Sequence, residues 1–206
     1  MGKVVKKIVL TGGPCAGKSS SLELIKNYLR DLGYLVLIVN ESPTELIKSG
    51  IKPFGDNKIG MVEFQDIVLK YQLFKEKLVI ETAKKYYDDK EIVIIYDRGI
   101  IDYKAYIGKE AYYDLLDKYN LVETDIFNDY DMIIYLETAA KCKSYTTDNN
   151  NARSENVSEA IKLDDKTFDA WESHEKIYII KSNEDFLAKQ NEIIGVISEV
   201  FDEKRD

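Results

Sequence analysis

The sequence predicts an α/β fold in which helices cover both faces of a five-stranded parallel sheet. Five short apolar runs are continuous rather than alternating, which is typical of strands that are buried on both faces. Most of these runs are followed by a stretch whose apolar residues have helical spacing, as in repeated strand–helix units. A glycine-rich turn joins the first run to the first such stretch.

The individual elements follow from local patterns along the chain. The first strand is predicted at residues 4–10, where β-branched residues dominate, and the first helix at residues 18–32, where Gly33 ends it. The other strands are predicted at residues 34–39, 92–96, 132–136 and 176–180. The other helices are predicted at residues 62–87, 163–174 and 185–201, with short helices within residues 100–129. Residues 44–60 are expected to be irregular because glycines and a proline interrupt them.

A polar segment interrupts the last third of the chain. Residues 141–162 are rich in Asn, Ser and Lys, which predicts a flap over the site rather than a linker between domains. The alternative is a polar surface loop without order. We expect one P-loop kinase-like domain over residues 1–206, with a lid at about 141–165.

Composition narrows the class of protein. The chain has 206 residues, of which 45% are hydrophobic and 32% charged, as in ordinary soluble domains. Its net charge of −8 disfavours a nucleic-acid partner, since phosphate backbones are bound by clustered basic residues. Two cysteines, Cys15 and Cys142, do not make a disulfide framework, and no run is apolar enough for a membrane span or a signal peptide. These features predict a cytoplasmic protein, and they leave its oligomeric state open.

The glycine-rich turn reads TGGPCAGKSS from Thr11 to Ser20 and fits the pattern G-x-x-x-x-G-K-[ST] between a strand and a helix. Its glycines let backbone N–H groups turn toward an anion, and the helix that follows adds its positive end. Lys18 is predicted to reach the β- and γ-phosphates of ATP, and the Ser19 hydroxyl to bind Mg²⁺. The residues predicted to bind the nucleotide are Gly12, Gly13, Pro14, Cys15, Ala16, Gly17, Lys18, Ser19 and Ser20. The alternative is a glycine-rich turn without a ligand.

Asp97 and Arg98 follow the third predicted strand and bear on the type of reaction. Asp97 occupies the place of the acid that stands behind Mg²⁺ in proteins with such a loop. ATP-hydrolysing motors commonly place a glutamate next, to polarise the attacking water, whereas this chain has Arg98. An arginine is not a base at neutral pH but binds oxygen atoms and phosphates, which favours transfer to a second substrate over hydrolysis. The alternative is that Arg98 only pairs with a neighbouring carboxylate.

Two other classes of nucleotide-binding protein are disfavoured. A GTPase switch would carry Asn-Lys-x-Asp, but the one Asn-Lys pair, at residues 57–58, is followed by Ile-Gly. A tandem motor is disfavoured because no second domain is predicted and the chain has only four arginines.

Glu41 is the candidate general base of the predicted site. It follows the second strand, so it shares a sheet edge with Thr11, Asp97 and Glu137, each of which follows another strand. A carboxylate at that edge is suited to take a proton from an attacking hydroxyl. The alternative is that Glu41 caps the next helix.

Three more side chains are candidates for contacts with substrates. Gln65 and Gln72 are seven residues apart on the long helix, hence on one face, and we expect them to contact a base or amide edge unless they are solvated. Arg153 lies in the predicted lid, where closure is expected to bring it to the transferring phosphate.

Four stretches together resemble a known family. TGGPCAGKSS, NESP, YDRGIIDYKAYI and ARSENVSEAIKLDDKTFDAWESH are similar to the small P-loop ATPase and kinase domains of the NadR/TTD-like type. That group includes ribosylnicotinamide kinase domains and eukaryotic ATP/GTP-binding proteins linked to phosphoinositides. ESP and DRG also resemble elements of deoxynucleoside and thymidylate kinases. The resemblance implies a nucleoside-kinase-like fold, with Glu41 as base, Asp97 near Mg²⁺, Arg98 on the acceptor and Arg153 in the lid.

Two functional hypotheses follow. The first is a kinase that uses ATP and Mg²⁺ to phosphorylate a small, hydroxyl-bearing, nucleoside-like metabolite, with Lys18, Glu41, Asp97, Arg98 and Arg153 as catalytic residues. The alternative is an ATP- or GTP-dependent regulatory binding protein, or an ATPase, whose partner is a protein or a phosphoinositide.

Overall fold

The computed structural model describes residues 3–142 and 157–202 of the chain. Five strands form one parallel sheet in the order β2-β3-β1-β4-β5. The strands are β1 (Lys3–Gly12), β2 (Leu35–Val39), β3 (Glu91–Asp97), β4 (Met132–Leu136) and β5 (Ile177–Ile180). The predicted parallel α/β fold is confirmed, and each of the five predicted strands is present.

Eight α-helices lie between and after the strands in the described residues. They are α1 (Lys18–Asp31), α2 (Ser42–Lys48), α3 (Met61–Tyr86), α4 (Tyr103–Ile107), α5 (Lys109–Lys118), α6 (Glu123–Asp129), α7 (Val157–Trp171) and α8 (Phe186–Asp202). Two 3₁₀ turns, Ile100–Asp102 and Ala139–Lys141, follow the ends of β3 and β4. No helix in these parts of the chain is long and apolar enough to cross a membrane.

The two faces of the sheet are covered by different helices. On β3, Ile92 and Ile94 belong to one core and Val93 and Ile95 to the other, and all four are fully buried. Helices α1 and α8 pack on the face of Val93, while the helices from α3 to α7 pack on the opposite face. Burial on both faces is the physical reason why the strand is continuously apolar.

Two segments differ from the prediction. Helix α2 occupies part of the stretch expected to be irregular; Pro43 lies in its first turn, where a proline favours helix, and Leu46 is buried in the core. The predicted helix at residues 163–174 begins earlier, at Val157, so the last part of the predicted lid is helical. Residues 143–156, which contain Arg153, lie outside the described residues.

The sheet places the glycine-rich turn at its centre. Strand β1 lies between β3 and β4, with Leu10 paired to Asp97 and Gly12 to Leu136. A Cβ on Gly12 would lie 1.9 Å from the Leu136 carbonyl oxygen, and the φ angle of Gly12 is +137°, so only glycine fits there. The turn therefore leaves the sheet between the carboxyl ends of β3 and β4.

Candidate active site

The turn between β1 and α1, residues 12–17, has the backbone of a phosphate-binding loop. Cys15 and Gly17 have positive φ angles of 55° and 82°, and Gly17 is the residue from which α1 starts. Such alternation of backbone conformation directs successive N–H groups into a concave surface that binds anions. Ser19 and Ser20 are exposed in the first turn of α1, whose positive end faces the same space.

Lys18 folds back over this loop. Its Nζ atom donates to the carbonyl oxygens of Gly13, at 2.7 Å, and Gly12, at 3.1 Å, and its side chain is largely buried. These carbonyl oxygens are neutral. When the oxygens of a bound anion take their place as acceptors from Lys18, no negatively charged protein group loses its partner. The ammonium group is therefore held at the loop in a position from which it can exchange these partners for phosphate oxygens.

Glu41 and Arg98 form a buried ion pair at the edge of the sheet. The Arg98 Nε atom lies 2.7 Å from Glu41 Oε1, and Arg98 Nη1 donates to the Gly12 carbonyl oxygen at 3.2 Å. The Arg98 side chain is only 3% exposed. This pairing joins the end of β2 to the phosphate loop, and it shows that Arg98 does pair with a neighbouring carboxylate.

Arg98 has an unusual backbone conformation that several contacts hold in place. Its φ angle is +72°, which costs a non-glycine residue roughly 1 kcal/mol or more. The Arg98 N–H donates to the Leu10 carbonyl at 3.1 Å, and the Arg98 carbonyl accepts from Gln72 Nε2 at 3.1 Å. The backbone and the side chain of Arg98 are thus all fixed against β1, α3 and the loop.

The ion pair determines the protonation of Glu41. Burial alone would raise the pKa of Glu41. The charges of Arg98 and Lys18 lower it, as do hydrogen bonds from Thr44 and Arg98, and together they outweigh the effect of burial. The net effect lowers the pKa of Glu41 to about 2. Glu41 is therefore ionised at neutral pH and is a strong hydrogen-bond acceptor but a weak base.

Asp97 has a buried carboxylate oxygen without a protein partner. Its Oδ1 atom makes no hydrogen bond within residues 3–142 and 157–202. Burial and the nearby charge of Glu41 raise the pKa of Asp97, against the opposing charges of Lys18 and Arg98. An added cation would relieve both effects, and the Asp97 carboxylate and Ser19 hydroxyl are the hard oxygen ligands that Mg²⁺ prefers. The residues present therefore fit a magnesium ion.

The two candidate glutamines of α3 differ in how they are used. The Gln72 side chain is fully engaged: Oε1 accepts from Tyr103 at 2.7 Å and from Ser42 at 3.3 Å, and Nε2 also donates to Glu76 at 2.9 Å. These partners are all protein groups, and the predicted contact of Gln72 with a substrate stays a prediction. Gln65 is also buried, but its Oε1 has no hydrogen-bond partner in the described parts of the chain.

The four residues predicted to meet at this edge are only partly brought together. Thr11 donates a hydrogen bond to Asp102 of the turn after β3, while Glu41 and Asp97 lie close enough to influence each other's charge. Glu137 instead accepts hydrogen bonds from the Ser182 N–H and hydroxyl groups and lies 3.6 Å from Lys141 Nζ. Glu137 therefore fixes the turn after β5.

Several buried polar residues around the site were not among the predicted site residues. Asp102 accepts from Trp171 Nε1 at 3.3 Å and from the Gly99 N–H at 2.8 Å, and Lys189 of α8 donates to the Ala16 and Glu137 carbonyls at 3.1 Å. Asp164 of α7 contacts the loop through the Gly13 N–H. Apart from the local bond between Asp102 and Gly99, these contacts join residues distant in sequence. Asp102 and Asp164 lie within two of the stretches that resemble known kinase domains, but the stretches do not indicate which atoms they contact.

Comparison with known proteins agrees with this geometry. The model of a protein family described as an AAA domain matches residues 7–188. No curated protein sequence matches the chain significantly. Among solved structures, a deoxyadenosine kinase from M. mycoides with bound dATP is similar, with 18% sequence identity and a TM-score of 0.61. The match covers 94% of this chain and 99% of that one, and it shows that the fold is that of a nucleoside-kinase-like P-loop domain.

Proposed function

The chain belongs to this AAA-domain family, and from that premise we propose that it is an ATP-dependent phosphotransferase acting on a hydroxyl group of a small nucleoside-like metabolite. The observation that carries the proposal is the buried Glu41–Arg98 pair beside the phosphate loop. An arginine in the place of a water-polarising glutamate favours transfer over hydrolysis. The likeness of fold to a deoxyadenosine kinase supports a nucleoside-like acceptor.

The donor half of the proposed site is the phosphate loop. Its backbone N–H groups would bind the phosphates of ATP, and Lys18 would leave the Gly12 and Gly13 carbonyls to contact the β- and γ-phosphates. Ser19 and Asp97 would hold Mg²⁺, which when bound neutralises charge on the transferring phosphoryl group. Arg153 is proposed to act from the lid, outside the described residues.

The acceptor half is the Glu41–Arg98 pair. The two side chains contact each other directly, so the acceptor is proposed to bind alongside the pair rather than between its members. With its low pKa, Glu41 would orient the acceptor hydroxyl and accept its proton late in the transfer. Phosphoryl transfer has a loose transition state, in which positioning and charge matter more than a strong base.

Gln65 is proposed to contribute to selection of the acceptor. It is buried on α3, the helix whose Gln72 contacts both Ser42 and the Arg98 carbonyl. A buried amide oxygen without a partner is costly and is satisfied when a ligand donates to it. This oxygen would accept from an N–H or O–H group of a nucleoside-like acceptor.

A turnover assay tests the proposal. ATP consumption is measured with Mg²⁺ and a panel of nucleosides and ribosylated pyridines, and the phosphorylated product is identified by mass spectrometry. Stimulation by one compound, with its monophosphate formed and with both lost in Lys18→Ala, is the expected result. Tight nucleotide retention without a phosphorylated product from any compound would contradict the proposal and favour a nucleotide-dependent binding protein.

A further inference from the structure

Asp164 lies on α7, and its fully buried side chain joins two strand ends at the phosphate loop. Its Oδ1 atom accepts hydrogen bonds from the Gly13 N–H at 2.9 Å and from the Thr138 N–H at 3.0 Å. Gly13 follows β1, and Thr138 begins the turn after β4. One carboxylate oxygen therefore fixes the loop relative to the neighbouring strand.

The contact with Gly13 is close enough to require glycine there. A Cβ at position 13 would lie 2.5 Å from Asp164 Oδ1 and 2.7 Å from Asp164 Cβ. The next loop residue is held from the same side, because the Thr138 hydroxyl donates to the Pro14 carbonyl oxygen. Two peptide groups of the loop, on either side of the Gly13–Pro14 bond, are thus oriented by Asp164 and by a residue that Asp164 holds.

The carboxylate of Asp164 has a basic neighbour. Its Oδ2 atom lies 2.8 Å from Lys141 Nζ, which also lies 2.8 Å from the exposed Asp165 and 3.6 Å from Glu137. A buried carboxylate without a counter-charge would be unfavourable in itself and would repel a triphosphate bound nearby. Lys141, although shared with two other carboxylates, offsets part of this cost and part of this repulsion.

We propose that Asp164 is a positioning residue of the phosphate loop: its two hydrogen bonds orient the Gly13 and Pro14 peptides so that the N–H groups after them face the triphosphate. Lys141 offsets part of its charge. This inference rests on the proposed function. The same helix face reaches the acceptor side seven residues later, where Trp171 donates to Asp102. Helix α7 thereby connects the loop to the turn after Arg98.

Three variants separate hydrogen bonding from charge. Asp164→Ala removes both, whereas Asp164→Asn keeps an oxygen that accepts from Gly13 and Thr138 while removing the charge. Asp165→Asn is the matched control, because it removes a neighbouring partner of Lys141 that does not contact the loop. The readout is the Kd of a fluorescent ATP analogue with Mg²⁺, measured well below each variant's Tm so that a loss of stability alone leaves it unchanged.

We expect Asp164→Ala to weaken binding of the analogue at least about tenfold, equivalent to about 1.4 kcal/mol. Asp164→Asn should remain within about threefold of the wild type, and Asp165→Asn should be unchanged. If Asp164→Ala does not fold, Gly13→Ala replaces it, because its Cβ displaces the carboxylate, and the same tenfold loss is expected. A wild-type Kd in the folded variant overturns the inference. Absence of binding by the wild-type protein would instead contradict the proposed function.

Discussion

The phosphate loop and the Glu41–Arg98 pair lie at the same edge of the sheet but are stabilised in different ways. The backbone of the loop is held by the side chains of Asp164, Thr138 and Lys189, and the described hydrogen bonds of the Lys18 cation are to neutral carbonyl oxygens. The pair consists of two opposite charges that are bonded to each other and largely removed from water. The loop can therefore exchange partners when a nucleotide enters, whereas opening the pair would leave a buried charge uncompensated.

This difference predicts that removal of the cation has different consequences in the two regions: a loss of stability for Arg98 and a loss of function for Lys18. At the pair, a lost cation leaves a buried anion, so the folded state itself is destabilised. At the loop, the hydrogen bonds that are lost were made to neutral carbonyl oxygens, so we expect function to be lost while the fold persists.

Arg98→Ala should have the largest effect on stability. It leaves the largely buried Glu41 and the fully buried Asp102 without their guanidinium neighbour, and removal of one partner of a buried ion pair typically costs about 3–5 kcal/mol. Denaturant unfolding measures the loss, with Arg30→Ala, a substitution on the exposed surface of α1, as the control. A free energy of unfolding within 1 kcal/mol of the wild type would show that the pair is not a buried charge pair in solution.

Lys18→Ala should have the next largest effect, but on transfer. Loss of one preorganised cation at the transferring phosphate is expected to slow transfer about 100- to 1000-fold. The free energy of unfolding should fall by less than for Arg98→Ala, since the described hydrogen bonds of Lys18 are to neutral carbonyl oxygens, although its charge also favours the ionised form of Glu41. The transfer rate and the free energy of unfolding are measured on the same preparation of each variant. A loss of stability as large as that of Arg98→Ala would contradict the proposed difference between the two regions.

Substitution of Glu76 is expected to have a smaller effect on the free energy of unfolding, and one that depends on pH. Burial raises the pKa of Glu76 from 4.5 to about 7, against the hydrogen bond from Gln72. Its ionised form is therefore unfavourable in the folded state, and stability should fall as pH rises from about 5 to 8. Glu76→Gln keeps an acceptor for Gln72 and removes the charge, so it should be more stable than the wild type at pH 8 by about 2–3 kcal/mol.

The advantage of Glu76→Gln should disappear near pH 4.5, where both proteins carry a neutral side chain. Because Glu76 acts behind Arg98 through Gln72, the Kd of an ATP analogue at the loop should be the same in both proteins at pH 8. Equal pH profiles of unfolding for the two proteins would contradict this assignment.

The sequence predicts the two regions unequally well. The loop is contiguous, and its glycines are required by local geometry, so Gly12 to Ser20 could be identified from a single stretch. The pair joins residues 57 positions apart, and only the parallel sheet, whose strands end at one edge, indicated that Glu41 and Arg98 would be close. Their direct contact and its effect on the pKa of Glu41 could be identified only from the three-dimensional structure.

The contacts of the residues that support the site could not be predicted, for a related reason. Asp164 and Asp102 contact the backbone N–H groups of Gly13 and Gly99, and a backbone group carries no residue identity that a pattern could reveal. Gln72 shows a different limit of the sequence. Its position on the correct face of α3 was predicted, but the sequence does not show that Tyr103, Ser42 and Glu76 already occupy its amide.

The central claim is that one edge of the sheet holds a donor site and an acceptor site that act separately. Glu41→Gln tests it most directly, because it removes the proposed acceptor-orienting charge and leaves the loop intact. The Kd of a non-hydrolysable ATP analogue should stay within about threefold of the wild type, or become tighter, since a nearby negative charge is lost. Transfer to the identified acceptor should fall at least about 100-fold. Unchanged transfer, or an equal loss of analogue binding, would contradict the account.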